Sequence, residues 1–205
     1  MNYPIAYDNQ IWQNLLLGDR NALGKLMQTF FHPLANYGLR FTSDKELIKD
    51  SVQELFIVLW ERRDKLATSV NLKSYLFTSF RRLLLRKLKK IHKTSTITLD
   101  PIYVDSFSFV LCIESKIIAS EQAKSLSNHF NQLIATLPER QREVVYLKFF
   151  ESLSREEIAN ILEIAPQTVS NILQIALSKL KIATPASVWK LCTFPLVLLL
   201  VEYLF

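Results

Sequence analysis

Glycine is nearly missing from this chain. Three occur in 205 residues, none after Gly38. Loops that cradle phosphates need glycine for close backbone approach, and no G-x-x-x-x-G-K-[ST], G-x-G-x-x-G or G-x-S-x-G run is present. Turn-rich β folds also use more glycine, so an all-α protein is expected. Cysteine is equally sparse. Cys112 and Cys192 stand far apart, without metal-ligand spacing. A cytoplasmic protein with free thiols is the default reading. His32, His92 and His129 are scattered, and neither a metal nor another cofactor is expected. The opening MNYPIAYDNQ has no basic start and no apolar centre, so no secretory leader is expected. Nothing makes a case for an enzyme.

What is present is apolar and basic. Hydrophobic residues make up 49%, enough for real cores, and the formal net charge is +6. That charge suits a polyanionic partner without proving one. The most patterned stretch runs from Leu137 to Ile182. Ser154 and Glu157 form an S-x-x-E capping box, with Leu153 and Ile158 placed as a hydrophobic staple. Ile158, Ala159, Ile161 and Leu162 give a short helix one apolar face. Glu163, Ile164 and Ala165 make a turn, and Pro166 fits the first position of a second helix. Val169, Ile172, Leu173 and Ala176 bury that helix, leaving Gln167, Thr168, Ser170, Asn171 and Gln174 outside. This is a helix-turn-helix whose outer face suits base edges in a major groove. A plain helical hairpin inside a core is the alternative. Three basic residues (Arg155, Lys179, Lys181) face four acidic ones between Glu151 and Ile182. Phosphate attraction supplies most nucleic-acid affinity, so the rest of the chain must provide it.

Upstream, helical periodicity continues. Asp8 or Asn9 can cap a first helix, Gly18 ends it, and Asp19 caps the next, in which Pro33 is a point of bending. Ser43 and Glu46 form a second capping box. The helix after it turns Leu47, Ile48, Val52, Leu55, Phe56, Leu59 and Trp60 inward, and Asp50, Gln53, Glu54 and Glu61 outward. Asn71 caps a long helix, NLKSYLFTSFRRLLLRKLKKIHK. Between Lys73 and Lys93 it carries eight basic residues and no acidic one. Such charges repel one another until an anion neutralises them. Leu72, Tyr75, Leu76, Phe80, Leu83, Leu84 and Leu88 supply the core stripe of this helix. Tyr75, Phe77 and Phe80 also lie next to the charges, and basic residues interleaved with aromatics suit a strand with unstacked bases. An anionic membrane surface is the rival partner. Residues 94–115 break the helical pattern and read as a linker. Helix resumes near Lys116, and Pro138 takes the first position of a further helix. The tail from Pro185 to Phe205 carries only Lys190 and Glu202 as charges. Its uncharged run spans about 16 Å as a helix, short of the roughly 30 Å hydrocarbon core. Packing against protein is favoured for it over shallow membrane contact.

Four stretches together resemble the bacterial RNA polymerase sigma factors of the extracytoplasmic-function group. They are Leu17-Gly18-Asp19-x-x-Ala22-Leu23, Asp50-x-x-Gln53-Glu54-x-Phe56-x-x-Leu59-Trp60, Leu72-Lys73-Ser74-Tyr75-Leu76, and Leu137-Pro138-x-x-Gln141-Arg142-Glu143-Val144 with the helix-turn-helix. The match covers nearly all of residues 8–183. The resemblance implies two small helical domains: region 2 in residues 1–93 and region 4 in residues 116–184, joined by the linker 94–115 and followed by the tail 185–205. It implies binding to core RNA polymerase through Asp50, Gln53, Glu54, Phe56 and Trp60. It implies capture of a flipped base and of the separated minus-ten strand by the connection 64–71 and by Asn71, Lys73, Tyr75, Arg81, Arg82, Arg86, Lys87, Lys89 and Lys90. Arg155, Gln167, Thr168, Ser170, Asn171 and Gln174 would read the minus-thirty-five element of promoter DNA. An anti-sigma factor is an expected partner. Three departures mark the chain. Arg82 and Arg86 stand where members commonly carry Asn and Asp. Ser170, Ile172 and Ile175 stand where basic residues are usual. Ser152 and Glu163 stand where Gly is usual. A stand-alone helix-turn-helix regulator is the alternative function.

Overall fold

The computed structural model describes residues 5–94, 107–108 and 131–183. Every regular element among them is helical. The chain divides into two compact units that part between Ser106 and Phe107.

The first unit holds α1 (Ile5–Leu16), α2 (Arg20–Gly38), α3 (Lys45–Glu61) and α4 (Leu72–Thr94). Helices adjacent in sequence pack on each other, and α4 also touches α1 and α2. Each joint has a local chemical cause. Gly18 sits at φ +86°, a left-handed conformation that glycine adopts without a Cβ clash. Asp19 then caps α2 by accepting from the Asn21 N–H at 2.8 Å. Asn71 caps α4 by accepting from the Ser74 N–H at 3.0 Å. Two expected starts move. α1 begins at Ile5, ahead of Asp8 and Asn9. Both residues are tolerated inside a helix at small cost, so capping chemistry alone misplaced the boundary. α3 is capped by Asp44, not Ser43. The Asp44 carboxylate accepts from the Leu47 N–H at 3.0 Å, while Thr42 Oγ1 accepts from the Asp44 N–H. A charged acceptor at a helix start outcompetes the neighbouring hydroxyl.

The core of this unit gathers around Tyr37, which is fully buried. Its ring centroid lies 5.1 Å from Phe41 and 5.3 Å from Phe77. Leu76, Phe77, Phe80 and Leu84 of α4 are likewise buried. Each such side chain contributes about 1.5–3 kcal/mol when taken from water. Gly38 is where α2 comes close to its neighbours. A Cβ there would meet Ile48 at 3.0 Å and Phe80 at 3.1 Å.

In the second unit, residues 131–135 are helical, followed by α5 (Glu139–Phe149), α6 (Arg155–Leu162) and α7 (Pro166–Ala183). α5 packs against α7. Pro138 is the N-cap of α5, one residue before the expected position. The capping box forms as expected at α6: Ser154 Oγ accepts from the Glu157 N–H, and the Glu157 carboxylate accepts from the Ser154 N–H. Leu153 and Ile158 are both buried. Phe107 is buried and meets the Tyr146 ring edge-on at 5.8 Å. Apart from Phe107 and Ser108, the expected linker beyond Thr94, the expected helix from Lys116 to residue 130, and the tail 185–205 lie outside the described residues. No helix among the described residues is long and apolar enough to cross a membrane.

Ser152 and Glu163 hold φ +53° and +56°. These are the two positions where glycine was usual in the resemblance. Left-handed backbone costs an L-residue about 1–2 kcal/mol, partly offset because glycine loses more chain entropy on folding. Glu163 also ends α6, where its N–H donates to Ala159 O. Ser152→Gly and Glu163→Gly should each raise unfolding free energy by about 0.5–1 kcal/mol in urea denaturation. A loss of stability at either position would contradict this account of the two turns.

Candidate nucleic-acid interface

On α3 the exposed side chains follow helical spacing. Asp50, Gln53, Ile57 and Glu61 are all exposed at steps of three and four residues, so they share one face. Asp50 and Gln53 of the expected polymerase-binding set are therefore open. Phe56 is only 2% exposed and packs inside the unit, so it supports this face rather than forming it. Trp60 is half-buried, with the Arg63 guanidinium 4.6 Å from its ring centre. Ile57 was missed. It is 57% exposed in the middle of the stripe. Its signal was positional: residue 57 lies four beyond Gln53, on the outward side. A solvent-facing isoleucine there gives a partner an apolar anchor between polar neighbours.

Between α3 and α4 runs a short connection that opens with a 3-10 turn, Arg63–Lys65. Arg63 Nη1 donates to Trp60 O at 2.9 Å. Residues 66–70 have no regular structure, yet α1 reaches them. Trp12 Nε1 donates to Ala67 O at 3.0 Å, and Gln13 Nε2 donates to Thr68 O. Ala67, Thr68 and Ser69 are exposed. The Asn71 side chain, expected to contact DNA, is engaged as the α4 cap.

α4 divides its residues sharply. Arg82, Arg86, Lys89 and Lys90 are exposed, while Lys73, Tyr75, Arg81 and Lys87 are half-buried. The aromatic expectation is corrected in part. Phe77 and Phe80 are fully buried, because both fall on the apolar side of the helix. Only Tyr75 keeps a partly open ring, and its inner side meets Trp12 edge-on at 5.8 Å. Arg81 lies 6.0 Å from the Phe41 ring centre and Lys73 lies 5.8 Å from that of Phe77, contacts that hold their stems against the core. The cations also differ in their acidic neighbours. Glu54 of α3 reaches Lys87 Nζ at 2.7 Å and Arg86 Nη2 at 4.0 Å. Glu54, expected to face polymerase, is therefore turned toward the basic helix. The Lys87 side chain is 24% exposed and that of Arg86 75%.

In the second unit, Arg155, Gln167, Thr168, Asn171 and Gln174 are exposed and Ser170 is half-buried. Gln167 Nε2 donates to Asn171 Oδ1 at 3.2 Å, across one turn of α7. Ser170 Oγ donates back to Pro166 O. Ile175 is also exposed, one residue beyond Gln174. Amide side chains pair with adenine edges, and methyl groups contact thymine methyls. Arg155 pairs with Glu156 at 2.9 Å. The Glu156 carboxylate is held below the usual carboxylate range, first by a hydrogen bond to its own backbone and then by Arg155. Arg155, at the start of α6, thus carries its own counter-charge.

Two family models match the sequence: Sigma-70 region 2 over residues 26–94, and Sigma-70, region 4 over residues 129–180. Together they cover more than half of the chain. No curated protein is matched. Among solved structures, CnrH in complex with the cytosolic domain of CnrY is similar. It is 18% identical, with 85% of this chain and 94% of that one covered and a TM-score of 0.57. The sigma factor RpoE of Bartonella quintana, crystallised with the anti-sigma factor NepR, is also similar. It is 18% identical, with 78% and 94% covered and a TM-score of 0.54. At that identity both likenesses speak to the fold. With region 2 and region 4 following one another in a single chain, the protein belongs to the sigma-70 family of transcription initiation factors.

Proposed function

We propose that this sigma factor is of the extracytoplasmic-function group, working in the cytoplasm as a dissociable promoter-specificity subunit of RNA polymerase. One observation carries the reading. In a single unit, α3 offers an open stripe of Asp50, Gln53, Ile57 and Glu61, and α4 offers a row of exposed cations. The first fits a protein partner, and the second fits a polyanion. A stand-alone regulator needs only the second. In this reading α3 docks on core polymerase. The connection 64–71 captures a flipped base, and α4 holds the separated minus-ten strand by its phosphates. The α6–α7 helix-turn-helix reads the minus-thirty-five element in the duplex. The chain itself performs no bond chemistry; it positions DNA for the polymerase. Region 2 takes residues 1–93, region 4 takes 116–184, and 94–115 joins them. An anti-sigma factor is the natural antagonist: the similar RpoE of Bartonella quintana is bound to the anti-sigma factor NepR, and the similar CnrH to the cytosolic domain of CnrY.

Purified chain added to core polymerase should start transcription at a discrete site in a genomic template library. Asp50→Arg should abolish that initiation while leaving thermal unfolding unchanged. If added core gives no promoter-dependent start, the reading fails.

The ion pairs rank the cations. Exposed pairs contribute about 0–1 kcal/mol, so Glu54 yields to a competing phosphate, but only at a cost. Arg86→Ala should lower the slope of log affinity against log salt for holoenzyme–promoter binding by about 0.7–0.9, one phosphate contact. Lys87→Ala should lower it by less, because part of that charge is already spent on Glu54. A larger effect at Lys87 than at Arg86 would contradict the assignment.

A further inference from the structure

The reading above assigns no work to α1. Yet α1 makes specific long-range contacts in the first unit. Two adjacent residues, Trp12 and Gln13, donate side-chain hydrogen bonds to two adjacent carbonyls, Ala67 O and Thr68 O, 55 residues away in sequence. Trp12 is 1% exposed, so its N–H is fixed in direction by the packing around the indole. Its ring edge also meets Tyr75 at 5.8 Å. The connection is tied down on both sides of this point. Arg63 fastens its start to Trp60 by a hydrogen bond and a ring contact, and the Asn71 cap fastens its end. Three anchors on so short a segment leave it little freedom. The side chains it exposes, Ala67, Thr68 and Ser69, are small, and two carry hydroxyls that can donate to or accept from a base edge.

We propose that α1 is a positioning element for base capture: Trp12 and Gln13 hold the backbone at residues 67–68 so that Thr68 and Ser69 meet the flipped minus-ten base in one fixed geometry. This rests on the proposed base-capturing role of the connection. A loop that must be ordered when the base arrives gives up affinity and discrimination; one ordered beforehand does not. Hydrogen-bond discrimination between bases depends on direction, so a carbonyl anchor that stops the segment rocking acts on specificity more than on total binding. Trp12 and Gln13 touch no DNA in this arrangement. Their contribution passes through Ala67 O and Thr68 O, and for Trp12 also through the Tyr75 ring.

The test uses the full chain with core polymerase and a promoter library randomised through the minus-ten element. Wild type should select one base strongly at the captured position, and Thr68→Val should alter preference at that same position. Trp12→Phe with Gln13→Leu keeps an aromatic side chain in the core and removes both donors. It should bind core polymerase as wild type does and keep its minus-thirty-five preference. Its discrimination at the captured position should fall about tenfold, as a lost hydrogen bond gives. Undiminished discrimination in the double variant would overturn the proposal. So would a loss spread evenly over every position in step with lowered thermal stability, which is what a merely structural role produces. An effect of Thr68→Val at a different position from that of the double variant would overturn it as well. If wild type itself selects no minus-ten sequence, the base-capture reading falls, and the proposal falls with it.

Discussion

The two faces of α4 set the terms for everything around it. One face is aromatic and aliphatic, with Leu76, Phe77, Phe80 and Leu84 wholly buried. The other carries cations, of which Arg82, Arg86, Lys89 and Lys90 are exposed. Surface charges in salt water repel one another weakly, falling away over about 8 Å. Each buried side chain contributes about 1.5–3 kcal/mol. Burial therefore wins, and the helix holds a row of positive charge in register before any DNA is present. Stability is drawn from one face and affinity from the other.

The neighbouring elements follow from that division. α3 lies against α4 and lends Glu54 to Lys87 and Arg86, so the helix proposed to face polymerase and the helix proposed to face DNA are joined through one carboxylate. α1 lies on the other approach, holding the connection that leads into α4. The second unit makes the opposite compromise. Its recognition helix shows amides, a threonine hydroxyl and an isoleucine, and Arg155 at the start of α6 is paired with Glu156. That surface can discriminate between base pairs without much grip. The α4 face can grip without discriminating. In the proposed reading, core polymerase docked on α3 lets the two act on one promoter.

Much of this was legible because the signals were local. Asn71, Ser154 with Glu157, and Pro166 each act within four residues, and each does so in the structure. The outward set on α3 followed from a period of 3.6 residues. The misses have physical causes too. Ser43 lost the cap to Asp44 because a carboxylate is the stronger acceptor. Phe80 is buried as the apolar stripe of the helix requires; Phe77 neighbours the cations in sequence, but about 100° per residue carries it round to Tyr37. Ile57 escaped because an apolar residue on a polar face fits neither half of a binary pattern. The reach of Trp12 and Gln13 to residues 67 and 68 was illegible in principle, since no periodicity encodes a contact across 55 residues. The glycine departures at Ser152 and Glu163 were visible as oddities, and the left-handed backbone explains why glycine belongs there.

In the proposed mechanism the α4 face and its connection open DNA only when polymerase is docked on α3. Permanganate reactivity of unpaired thymines reads that opening. On a promoter found by start-site mapping, thymines within the minus-ten element should become reactive when the chain and core polymerase are both present. None should react with either alone. Opening by the chain without polymerase, or no opening with both together, would contradict it.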